Sequence, residues 1–113
     1  MTEPTLSKLN QRLSRRRAPW AKIKVTCHRG ALGLGPNLAL GVLDLSESGA
    51  RLLVKDALQP QRVVSLGLAG PSNAQPLTRL GTVVWSVPAA DGTHCVGVSL
   101  HTQFDYQELT SLT

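Results

Sequence analysis

Short runs in which apolar and polar residues alternate recur from residue 21 onward, and no other feature constrains the fold as strongly. They are "AKIKVTCHR" (21–29), "NLALGVLDLS" (37–46), "GARLLVK" (49–55), "RVVSLGLAG" (62–70), "TRLGTVVWSV" (78–87) and "THCVGVSLH" (93–101). A period near two, with Val and Leu dominant, predicts half-buried strands. The connectors "GLGPN", "LQPQ", "GPSNAQP" and "PAADG" carry the residues that turns prefer. Six short strands at this spacing predict an antiparallel barrel or sandwich rather than a βαβ fold. Closure into a barrel would remove the edges that otherwise invite aggregation. The end of the chain, "TQFDYQELTSLT", places Phe104, Leu109 and Leu112 near helical spacing and predicts a short C-terminal helix covering one side.

At 113 residues and 42% hydrophobic content the chain holds one modest core. The expected organisation is a basic N-terminal arm over residues 1–20 and a barrel with its terminal helix over 21–113. Within the arm, Leu6, Leu9 and Leu13 suggest a short helix from Ser7 to Arg16, which Pro19 should end. The formal charge of +5 is uneven: residues 1–24 hold seven basic side chains against one acidic, and the remainder five against six. Such an arm attracts an anion, whether nucleotide phosphate, nucleic acid or lipid head group, or else is a solvated tail.

Several chemistries fit poorly. The start, "MTEPTLSKLNQRLSRRR", has no apolar stretch that would serve as a signal peptide, and no run is long enough to span a bilayer. A cytoplasmic protein with reduced Cys27 and Cys95, not inserted in a membrane, is therefore expected. The mirrored "CH" (27–28) and "HC" (94–95) pairs sit inside strands, where neighbours point to opposite faces, so at most two of the four could share a zinc. No metal and no cofactor are expected. Ser46 and Ser48 have no motif-paired His, so the chain is not read as an enzyme. "LGLGPN" lacks the third glycine of a dinucleotide loop. With only Trp20, Trp85, Phe104 and Tyr106 as aromatics, a stacking platform for single-stranded nucleic acid is missing, although electrostatic binding is left open.

One stretch asks for more than a turn. In "LDLSESGARLLV" (43–54) an apolar run is interrupted by Asp44, Ser46, Glu47, Ser48 and Gly49 and resumes at once. Asp, Ser and Gly suit a hairpin turn. They also match D-x-S-x-x-G, and together with "RLSRR", in which Arg12 and Arg16 form R-x-x-x-R, the chain resembles the PilZ family of bacterial cyclic di-GMP receptor domains. "GTVVWSVPAADGTHCVGVSL" (81–100) looks like the closing hairpin of many members, so the resemblance covers most of the chain.

The resemblance implies a six-stranded antiparallel PilZ-like β-barrel. It implies a receptor or effector domain that binds cyclic di-GMP through Arg12, Arg16, Arg17, Asp44, Ser46, Gly49 and Trp85, signalling to a downstream protein partner as its arginine-rich arm becomes ordered. The alternative is a degenerate module that binds a protein and not the nucleotide. Residue chemistry supports the first. Guanine presents N1–H and N2–H₂, which a carboxylate such as Asp44 can accept. Its O6 and N7 accept a bidentate arginine, and guanidinium also stacks on purines and pairs with phosphate. Ser46 would share the face of Asp44. Gly49 would supply a positive φ or a close backbone approach. Trp85 either stacks on a base or packs in the barrel wall. The chain departs from the family at Trp20, which stands where members often carry the last arginine before strand one, and Leu100 replaces a common aromatic.

Overall fold

Alternation becomes strand in all six segments. The strands are β1 (Lys24–Arg29), β2 (Ala39–Leu45), β3 (Gly49–Val54), β4 (Val63–Ala69), β5 (Leu77–Pro88) and β6 (His94–Leu100). Each observed strand lies within its expected segment, except β5, which runs one residue further at both ends. The computed structural model describes residues 23–71, 73 and 75–113. The helix expected over 7–16, and with it Arg12, Arg16, Arg17 and Trp20, lies outside the described residues.

The strands form one antiparallel sheet in the order β1-β4-β5-β6-β3-β2. Curling brings the outermost strands together. There Leu38 N–H donates to the Cys27 carbonyl at 2.8 Å, and the Asn37 side-chain oxygen accepts from the backbone N–H of both Cys27 and Ala39. The result is a nearly closed barrel. Period-two alternation sends Leu52 and Val54, Val64, Leu66 and Leu68, Val83, and Val96 and Val98 inward, where all are buried. Fully burying a side chain of this size contributes about 1.5–3 kcal/mol. Two departures from regular pairing matter below: a bulge between Val42 and Asp44 in β2, and one between Val83 and Trp85 in β5.

The terminal helix α1 (Tyr106–Leu112) starts after Phe104, so Phe104 lies ahead of the helix and not on it. Asp105 is the N-cap. Its carboxylate accepts from Glu108 N–H at 2.8 Å while Glu108 Oε1 accepts from Asp105 N–H at 2.9 Å, which makes a reciprocal capping box. Phe104 and Leu109 occupy the positions of a hydrophobic staple around that cap, and both are buried with Leu112. Arg79 of β5 donates to Glu108 Oε1 at 2.5 Å, and its guanidinium carbon sits 4.9 Å from the Phe104 ring centroid. The helix is thereby fastened to the barrel wall. No helix among the described residues is long and apolar enough to cross a membrane.

Candidate functional site

The D-x-S-x-x-G stretch is the β2–β3 hairpin turn with the end of β2. Ser46 N–H donates to the Gly49 carbonyl at 2.9 Å, and Gly49 N–H donates to Ser46 Oγ at 3.1 Å. Ser46 is buried, so its hydroxyl acts within the turn. The turn also holds its surroundings: the Ser48 carbonyl accepts from Leu100 N–H and the Glu47 carbonyl from Phe104 N–H. Of the two roles considered for Gly49, the close approach is the one observed. Its φ is not positive, and a Cβ there would stand 2.8 Å from the Val98 carbonyl oxygen.

Asp44 sits two residues before Ser46, on the opposite face from the buried Leu45. Its register partner on β3 is Arg51. Arg51 Nε donates to Asp44 Oδ2 at 2.6 Å, and Nη2 of the same guanidinium pairs with that oxygen too. The hydrogen bond to Asp44 raises the Arg51 pKa further above its already high value, so this cation is permanent. Asp44 is nearly enclosed while the Arg51 side chain is 44% exposed.

The register continues across the barrel. Arg51 pairs with Gly97 of β6, and Gly97 pairs with Trp85 of β5. Because Ala50, Leu52, Val96 and Val98 face the core, Arg51 and Gly97 between them face outward. The Trp85 indole lies directly on Gly97, where any Cβ would collide with its Cε2 and Nε1 atoms. Asp44, Arg51, Gly97 and Trp85 thus form one outward row over four adjacent strands. The structure brings Asp44 and Trp85, two of the residues named from sequence, onto this row, with Ser46 and Gly49 at its turn end.

Sequence reading missed Arg51 and Gly97. Arg51 had a usable signal: in a hairpin whose turn pairs Leu45 with Ala50, the next outward pair is Asp44 with Arg51. Gly97 had none, because the β5 bulge shifts by one residue which position of that strand lies opposite it.

Other features lie apart from this row. Alternation sends Cys27 into the core and leaves His28 half-buried, with Nδ1 3.1 Å from the Gly35 carbonyl oxygen. The described residues contain no group of three or more His, Cys, Asp or Glu side chains placed to hold a metal ion. A cleft of about 700 Å³ opens beside Arg29, Gln59, Gln61 and Arg62, and none of the residues named from sequence lines it.

Comparison with known proteins follows the same lines as the geometry. The family model described as PilZ domain matches residues 10–112. No curated protein matches the chain significantly.

Proposed function

The chain belongs to the PilZ domain family, and from that premise we propose that it is a non-enzymatic receptor for cyclic di-GMP. The observation that supports this most is the outward row, which sets a fixed charge pair at one end and an indole seated over Gly97 at the other. An aromatic face offers stacking to a purine, and charged donors and acceptors beside it offer selection among purines. The turn residues Ser46 and Gly49 hold this face in shape. Arg12, Arg16 and Arg17 supply the remaining half of the site by pairing the phosphates and the outer face of the bases. Closing of the arm over a doubly anionic ligand changes the surface offered to a protein partner, and that change is the signal.

Calorimetric titration with cyclic di-GMP tests the reading. Saturable binding is expected. No heat at high micromolar ligand, from protein shown to be folded, would sink it. Replacing Asp44 by Ala should weaken binding more than replacing Arg15 by Ala, and equal losses would reduce the arm and row to a diffuse charge effect.

Two observations favour the second reading, a module of the same family that binds protein alone. Trp20 stands where members often carry the last arginine before strand one, and the Asp44 carboxylate is already engaged by Arg51. On that reading the titration is silent while the fold is intact.

A further inference from the structure

We infer that Arg51 is the residue that recognises guanine, and that Asp44 acts by positioning it. This rests on the cyclic di-GMP reading above and assigns roles within that site. For a carboxylate to read guanine it must accept N1–H and N2–H₂ side by side. Asp44 Oδ2 instead accepts two charge-assisted bonds from Nε and Nη2 of one guanidinium, and bonds of this kind are the strong ones. Accepting N1–H and N2–H₂ side by side at both oxygens would have to displace them.

The pair has a second face. A guanidinium is planar, with its donors in a rigid fork. With Nε and Nη2 turned to the carboxylate, the Nη1 side of the fork faces away from it, and Nη1 makes no hydrogen bond within the described residues. That free edge carries parallel N–H groups, the arrangement that guanine O6 and N7 accept. Adenine presents a donor where guanine has O6, so the same edge discriminates against it.

Position completes the argument. Arg51 and Trp85 flank Gly97 on one register row, so their backbones are about 10 Å apart across two strand spacings. The indole leans over Gly97 into that interval. A purine lying along the indole would turn its edge toward the Arg51 fork. Asp44, nearly enclosed and bonded to this guanidinium through Oδ2, fixes the direction of the fork.

Titrations of the whole chain with cyclic di-GMP and with its hypoxanthine analogue, cyclic di-IMP, test this in wild type, R51K, R51A, D44A and D44A/R51A, each checked for folding by circular dichroism. R51K keeps the charge and loses the fork, and it should weaken cyclic di-GMP on the order of tenfold or more. The double variant should bind no more weakly than R51A, because Asp44 works only through Arg51. The factor lost in D44A should be the same for both ligands, since the analogue keeps O6 and N7 and lacks only the exocyclic amine. An R51K that binds as wild type does, a D44A loss that shrinks with cyclic di-IMP, or an additive double variant would each overturn the assignment and make Asp44 the reader. If R51A fails to fold, R51K against wild type still decides. A wild-type chain that ignores cyclic di-GMP overturns the receptor reading itself, whereas binding that is intact and indifferent to R51K overturns only the role of Arg51.

Discussion

Burial pushes the Cys27 thiol up from 9.0 to about 11, against a smaller opposing pull from the Arg29 charge. A folded-state pKa above the unfolded one means that the contribution of this group is whole below pH 9 and is lost as pH rises toward 11, by about 2–3 kcal/mol at the limit. Melting curves should therefore show an alkaline limb that C27A flattens. At pH 8 a thiol reagent should label the partly exposed Cys95 quickly and Cys27 only on unfolding. Gly97 allows a second expectation: G97A must lift the Trp85 indole, costing about 1–3 kcal/mol. In a W20F background it should shift the fluorescence of the one remaining tryptophan. These residues also mark what sequence can say at this scale. Asp44, Ser46 and Gly49 were visible because their types and spacing form a pattern along the chain. Arg51 and Gly97 matter through what they face across the sheet, and a linear pattern does not record that.

Strands were legible because each presents one face to the core, and that requirement writes a period of two into the sequence. Bulges were not, since an extra residue such as Val84 breaks register without changing composition. The helix was legible as an apolar spacing, but its start was misjudged by counting Phe104 into it. Phe104 is buried as the residue ahead of the cap, where a staple also puts an apolar side chain. Attachment of α1 depends on Glu108. The backbone N–H of Asp105, and then Arg79, hold its carboxyl below the usual range. A depressed pKa contributes stability above the unfolded value and loses it as pH falls through the folded value. The α1 contacts should therefore weaken as pH falls below about 4.3. Helical circular dichroism followed to pH 2 should show this loss in wild type. E108Q, unable to ionise, should begin with a weaker helix and show less of an acid transition. D105A, which removes the cap, should cost about 1 kcal/mol at neutral pH.

The whole molecule divides its charge. All the net basicity lies in residues 1–24, while the body is close to neutral. A chain lacking residues 1–20 should keep the melting temperature of the barrel within a few degrees and lose most of its affinity for cyclic di-GMP. In the full chain that affinity should fall as salt rises. An equal affinity with and without the arm would remove it from the site. Strand count and spacing predicted a barrel or a sandwich, and the family resemblance chose the barrel. The strand order and the seam that Asn37 holds between β1 and β2 were not, because they depend on contacts between distant segments. The hairpin turn has a consequence that reaches beyond one chain. Its hydrogen bonds to the C-terminal end of β6 and to the lead-in of α1 make Ser46 and Gly49 necessary to the architecture whether or not a nucleotide is ever bound. A descendant that abandoned the ligand would keep both residues under selection for folding, while Asp44 and Arg51 would be released to drift. Within such a lineage the serine and glycine record ancestry, and the charge pair beside them records use.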